Sequence, residues 1–515
     1  MSADRLSAGN TLRNTVLFGS ALILMLAACL MTVLSSAYDE SAACTMFAAN
    51  VVLNVGILFD LCSNIRRDFP MLVFTLAFDL LLLGRVYLVF FGSYDRILYN
   101  LEAASFRNLY QALMVVTLSL LTVYAGYKLS TPLFFKREKA IREKGVAAVR
   151  IGPLVPIIRQ ISVFVLVFSS VAFFYAMFQT ILYVFQHGYL ASYVKNAMQN
   201  VPSVISRMSA FFVPSFAVFL ATMPNRKQMH FPLILYGIYM LTSLFTGRRN
   251  TFVCEALMLI IYFVLRDTLR RKDKRILTKK KIAAGIVIGV LAVYALEQMA
   301  EIRAGYSFRP GHFFSSLSTF VYSQGASFRV VAQTVNCWDR FDHNTAYQFL
   351  YYPFEKYVHN NTLLHAMFGF APIVEAQNMN FVSMTHNFGH VITYMVDPAR
   401  YLSGGGFGTS YVAEAYVAYG TAGVAVLSAG IGVAFRFFSS MLTRSWVVLA
   451  LCLLAVKDFV YIPRNFAFSW VIDVFSITYL CYFLALYLAA LLFAKIGSHV
   501  RAVRAFGAPE PEEKP

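Results

Sequence analysis

The chain has 515 residues, 58% hydrophobic and 14% charged, with 44 Lys and Arg against 26 Asp and Glu for a net charge of +18. A soluble domain carries about 45–50% apolar and about 25% charged residues, so a soluble globular enzyme is excluded and the class is an all-α polytopic membrane protein. The basic excess lies in short loops between apolar runs, which excludes a folded nucleic-acid-binding domain and fits cytoplasmic loops or an anionic substrate.

Arg5 and Arg13 precede a first apolar run, 15–34, which reads as an uncleaved span because it is long for a signal-peptide core. Apolar periodicity predicts about 12 transmembrane helices, at 15–35, 43–62, 70–91, 109–128, 160–185, 208–223, 231–246, 251–265, 282–299, 420–438, 445–462 and 466–494. The loops richest in Lys, 129–159 and 266–281, fall on the same side as 63–68, 224–230 and the C-terminal tail. That side is cytoplasmic by the positive-inside rule, and both termini lie on it. The expected organisation is nine spans in 1–299, a large periplasmic segment at 300–419, three spans in 420–494 and a cytoplasmic tail at 495–515. A structureless stretch as long as 300–419 is unusual; interfacial helices are expected there, one from His312 to Val335 and another from Asn380 to Val396.

The seven cysteines have no CxxC and no regular spacing, so neither a disulfide framework nor a zinc site is indicated. A Cys44–Cys337 bridge on the outer side has no support beyond its placement.

Three arginine-bearing stretches fall on the side opposite the basic loops. They are TGRRN with Arg248 and Arg249, EIRAGYSFRPG with Arg303 and Arg309, and YIPRN with Arg464. Charge near hydrocarbon costs several kcal/mol and usually faces a cavity or a partner; snorkelling to lipid phosphates is the alternative. These clusters hold Arg and no Lys, and the guanidinium fork binds phosphate oxygens in pairs where an ammonium cannot. A lipid phosphate or diphosphate is the expected ligand.

A second constellation runs from Ser383 to Gly420. His386 and His390 share a face if the segment is helical, but HNFGH lacks the glutamate of a zinc-protease motif, so no metal is expected. Gly404–Gly406 and Gly408 allow backbone to approach a ligand closely, and Glu414 follows as a candidate carboxylate. A third stretch, FVYSQGASFRVV, offers Tyr322, Ser323 and Gln324 beside aromatic rings, a chemistry suited to sugar.

TGRRN at 246–250, FVYSQGASF at 320–328, the block from His386 through YLSGGGFGTSYVAEAYVAYGTAG, and YIPRN at 461–465 together resemble the Wzy-type O-antigen and capsule repeat-unit polymerases, in that family's order across the C-terminal half. Where the family's late turn has Gly after Pro-Arg, this chain has Asn465. The resemblance implies an enzyme of the bacterial inner membrane, similar to membrane glycosyltransferases that use lipid-linked donors. It would pass a growing glycan from undecaprenyl diphosphate to the next lipid-linked repeat unit at the periplasmic face. Arg248, Arg249 and Arg464 would then hold the diphosphate and stabilise its departing charge, with Arg303 and Arg309 completing the pocket. His386 is the first choice of base, Glu414 the second and His390 the third, with Tyr322 and Gln324 orienting sugar or phosphate. No cofactor is expected. A chain-length-determining copolymerase is an expected partner.

Two other classes share these features. A ligase-like glycosyltransferase would pass finished polymer to a different acceptor. A flippase for lipid-linked oligosaccharides would grip phosphate in a cavity, but the related halves common in carriers are absent from this sequence.

Overall fold

The computed structural model describes residues 2–92, 94–134, 153–187, 201–246, 249–268 and 313–506, with scattered positions between 280 and 294. Among the described residues every regular element is helical. In chain order the helices are α1 (Ser2–Leu34), α2 (Asp39–Ser63), α3 (Phe69–Phe90), α4 (Ile97–Leu101), α5 (Phe106–Leu129), α6 (Val155–His187) and α7 (Ser203–Ala221). Next come α8 (Arg226–Phe245), α9 (Arg249–Thr268), α10 (Phe313–Gln324), α11 (Ser327–Asn336), α12 (Gln348–Asn360), α13 (Thr362–Phe368) and α14 (Met379–Val382). The last are α15 (Phe388–Val396), α16 (Pro398–Leu402), α17 (Tyr411–Ser439), α18 (Trp446–Tyr461), α19 (Ser469–Phe475) and α20 (Ile477–Phe506).

Among the described residues, nine helices are long and apolar enough to cross a membrane. They match nine of the twelve expected spans. Two others, 231–246 and 251–265, exist as the 20-residue helices α8 and α9 but are not among those nine. The span expected at 282–299 lies outside the described residues, apart from isolated positions. The expected span at 420–438 starts where α17 breaks: Tyr419 leaves helical geometry and Gly420 takes φ +61°, so 411–418 forms a separate helical piece ahead of it. Between residues 313 and 410 the chain forms short helices, none long enough to span.

The chain divides into two compact units: 1–136 with 254–440 and 456–472, and 137–253 with 441–455 and 473–515. In the first, α5 is the central helix, with Leu109, Leu113, Val116, Leu120 and Val123 fully buried. It packs on α17 backbone to backbone. A Cβ on Gly126 would overlap the backbone of Ala429, and one on Gly432 would overlap the carbonyl of Val123. Small residues of this kind let membrane helices approach closely, and polar side chains then bridge them. Here Ser119 Oγ lies 2.7 Å from the Tyr411 hydroxyl and 2.8 Å from Ser428 Oγ. Helix α3 is widened into a π-turn at Asp79–Leu83, where Asp79 accepts a hydrogen bond from Asn54 and Asn54 also reaches the Tyr87 hydroxyl at 2.8 Å. Such turns recur at functional sites, and the residues just beyond this one lead to Arg85.

The second unit packs aromatic rings. Phe216 stacks on Tyr236 with centroids 3.8 Å apart, and Ser215 Oγ lies 2.9 Å from the Tyr482 hydroxyl. Arg159 fixes the end of α7 by donating to Thr222 Oγ1 at 3.0 Å and to the Thr222 carbonyl at 2.8 Å. All seven cysteines are free, so Cys44 and Cys337 are not bridged.

Candidate active site

The site in the first unit begins with Arg85, which is buried near the end of α3. Its Nε donates to the Tyr322 carbonyl at 3.3 Å and its guanidinium lies 4.2 Å above the Tyr322 ring. Tyr322 in turn stacks on Tyr94, centroids 4.5 Å apart. This contact needs the glycine of YSQG. A Cβ on Gly325 would collide with the backbone of Arg85, so Gly325 both separates α10 from α11 and seats them over α3.

Opposite Arg85 stands Glu102, at the end of the short α4. Both flanks of that helix are left-handed without glycine, Arg96 at φ +59° and Glu102 at φ +57°. Such residues persist where surrounding structure over-determines them, often at functional sites. Helix α11 supplies that constraint: Gln333 Nε2 and Asn336 Nδ2 donate to the Glu102 carbonyl at 3.2 and 2.9 Å. The Glu102 carboxylate then meets Arg329 Nε at 2.5 Å and Arg85 Nη1 at 3.9 Å.

Arg329, on α11, also lies 3.9 Å over the Phe407 ring, and Arg400 lies 5.2 Å over the same ring. Burial pulls the Arg329 guanidinium below its ordinary pKa. Glu102 opposes that shift, and the positive Arg400 and Arg85 add to it. Arg85, Tyr99, Glu102, Tyr322, Arg329 and Asn336 line a cleft of about 640 Å³. Three guanidinium groups near a cleft walled by tyrosines and amides suit an oxyanion attached to a sugar.

Arg464 ends the turn Ile462–Arg464 and donates from Nη1 to the carbonyl and Oε1 of Gln324, at 3.4 and 3.3 Å. YIPRN and YSQG, distant in sequence, therefore meet. Asn465 has φ −141° and ψ 171°, an extended conformation that any residue adopts, so the turn does not require glycine there.

The histidine stretch is built differently from the expected single helix face. Helix α15 starts at Phe388, and the Asn387 side chain caps it by accepting from His390 N. Capping by Asn stops the helix short of His386, so the two histidines turn to different partners. His386 Nδ1 lies 2.8 Å from Glu355 Oε2. His390 Nδ1 lies 3.0 Å from the Tyr401 hydroxyl, which donates to the Ala376 carbonyl at 3.2 Å. Burial pulls the pKa of His390 down, with Glu375 opposing and Lys356 assisting.

Glu414 is fully buried. Its Oε1 accepts from Thr409 Oγ1 at 2.5 Å and its Oε2 from the Ala467 amide at 2.9 Å. It ties the start of α17 to the chain just beyond YIPRN. The glycine run wraps Arg400: a Cβ on Gly405 would fall 2.7 Å from the Arg400 side chain, and Gly404 and Gly408 take φ of +91° and +77°.

Of the arginines named from sequence, Arg248, Arg303 and Arg309 lie outside the described residues. Arg249 opens α9, and its side chain is also outside them. Sequence reasoning missed Arg85, Glu102, Arg329 and Arg400. A signal existed for Arg85, an arginine inside an expected span. Arg329 lies in FVYSQGASFRVV, where Tyr322, Ser323 and Gln324 carry the more obvious polar signal.

Among curated proteins and solved structures no match is found. The family model for the O-antigen polysaccharide polymerase Wzy matches residues 18–496, nearly the whole chain. A match of that extent, on a helical chain of membrane-spanning length and composition, places this protein in the Wzy family of O-antigen polysaccharide polymerases.

Proposed function

We propose that the chain polymerises undecaprenyl-diphosphate-linked repeat units at the periplasmic face of the bacterial inner membrane, with both termini in the cytoplasm. The acceptor hydroxyl of the incoming unit attacks the anomeric carbon of the growing glycan. The carbon–oxygen bond to diphosphate breaks, its electron pair leaves with undecaprenyl diphosphate, and the hydroxyl proton passes to a base.

The observation that supports this reading is the arginine-lined cleft. Arg85 and Arg329 face it, Arg400 shares the Phe407 ring with Arg329, and Arg464 sits on Gln324, two residues from Tyr322. Preorganised guanidinium groups stabilise charge building on a leaving diphosphate more than the ground state, and removing one such donor costs about 10²–10³ in rate. Arg303 and Arg309 belong to the same reading, and Arg248 and Arg249 carry the same oxyanion chemistry in their own stretch. Tyr322, Tyr99 and Asn336 offer rings and an amide to sugar. His386, partly open to solvent, serves as base; Glu414, sealed inside, positions the chain beyond YIPRN. A copolymerase sets chain length.

The test is the lipopolysaccharide banding of a deletion strain. Loss of the ladder, leaving one repeat unit on the core and restored by the intact gene, is the expected result. With purified protein and lipid-linked repeat units alone, a polymerase makes a ladder. A ligase makes none, and a flippase moves the lipid without forming a bond.

A further inference from the structure

We infer that Glu355 is the positioning residue of the base: its carboxylate accepts a hydrogen bond from Nδ1 of His386 and so leaves Nε2 bare to take the acceptor proton. The inference rests on the reading of His386 as base and extends it to a residue outside every motif in the sequence.

The geometry is a carboxylate–imidazole pair at 2.8 Å, with each side chain about one-third exposed, 34% for Glu355 and 35% for His386. An ionised carboxylate only accepts, so Nδ1 carries the hydrogen and the lone pair is left on Nε2. The surroundings hold this arrangement from both sides. Glu355 lies on α12, two residues after Pro353. Its neighbour Lys356 is engaged by Glu375 at 2.7 Å, and Glu375 also accepts from Tyr352 at 2.6 Å and from Asn387 at 3.0 Å. The chain next to His386 is therefore anchored: Asn387 donates its backbone N–H to Thr385 Oγ1 and its side-chain Nδ2 to Glu375, and its Oδ1 caps α15.

The chemistry follows from this order. As the acceptor oxygen bonds to the anomeric carbon and diphosphate departs, the hydroxyl proton moves to Nε2 and His386 becomes an imidazolium. Glu355 faces that new charge through Nδ1–H and keeps the ring from rotating. A partly exposed pair of this kind contributes little to stability, so its loss is expected to be felt in turnover rather than folding.

The test uses full-length protein in detergent with undecaprenyl-diphosphate-linked repeat units extracted from a polymerase-deletion strain. Glu355→Gln is expected to lower kcat about tenfold or more, with KM unchanged. Glu355→Asp recovers part of the loss. In a His386→Ala background, Glu355→Gln adds no further loss, because the two act as a unit. Full kcat in Glu355→Gln, or a loss that adds in full to that of His386→Ala, overturns the inference while leaving His386 as base. Full activity in His386→Ala overturns the base assignment and the inference together.

Discussion

Arg329 and Glu102 meet at 2.5 Å across the mouth of a cleft, joined by Arg85 at 3.9 Å from the same carboxylate. The carboxylate occupies a place that a substrate oxyanion would find attractive. Its backbone is left-handed and held by Gln333 and Asn336, so the acid is fixed against α11, and Gln333 Nε2 also reaches its carboxylate at 3.4 Å. The pair thus keeps two guanidinium groups ordered before substrate arrives.

Arg329→Ala and Arg85→Ala are each expected to cut polymerisation about 10²–10³-fold while protein levels in the membrane stay normal. Arg329→Lys should rescue poorly, because an ammonium lacks both the planar fork and the stacking on Phe407. Lipopolysaccharide ladders read beside membrane immunoblots measure this. Normal ladders in both alanine variants would remove the cleft from the mechanism.

Gly325→Ala should disturb the site through the fold. The new methyl would press on the backbone of Arg85, and overpacking of this kind costs about 1–3 kcal/mol. The expected outcome is a lower unfolding temperature and reduced polymer. Gly237→Ala, in open space on α8, serves as the control and should change neither beyond a small gain in helix stability.

Much of the fold was legible because a span needs only apolar length, and among the described residues nine helices of that length and composition fall at expected positions. The site was legible only in part. Tyr322 and Gln324 lie in one compact motif, and the structure joins them to Arg85 and Arg464. Arg85 was visible only as an arginine inside an expected span, because its contact with Tyr322 joins positions 237 residues apart. The His386–His390 spacing suggested one helix face, but Asn387 competes for the backbone as a cap and wins. Glu414 read as an isolated acid, since its two donors, Thr409 and Ala467, are not visible as partners in the sequence.

Arg249→Ala is expected to abolish polymerisation while the protein still inserts normally, as the TGRRN reading requires. Membrane yield by immunoblot and ladder by gel decide it. Polymer of normal length and amount would end the assignment of that stretch to the diphosphate.

Glu414→Gln separates a structural acid from a catalytic one. The amide has one acceptor oxygen where the carboxylate had two, so either Thr409 or Ala467 loses its partner, at a cost of about 1–3 kcal/mol. The structural role predicts a lower unfolding temperature, with residual activity tracking the folded fraction. An unchanged unfolding temperature with no turnover would instead make Glu414 the base.

His390 gives the chain a pH-dependent element. Burial lowers its pKa in the folded state, so the unfolded chain binds the proton more readily. Stability then rises with pH wherever the unfolded state holds more protons. The contribution is complete above the ordinary histidine pKa and is lost as pH falls from there toward the lowered folded value. The imidazolium keeps its Nδ1–H bond to Tyr401, so the cost of acidification lies in the poor solvation of a half-buried charge beside Phe381. His390→Asn keeps a donor near the Nδ1 position but cannot titrate. Unfolding temperatures of the solubilised protein, measured from neutral to mildly acidic pH, should fall more steeply for the native chain than for the variant. Parallel curves would show that His390 does not carry this dependence.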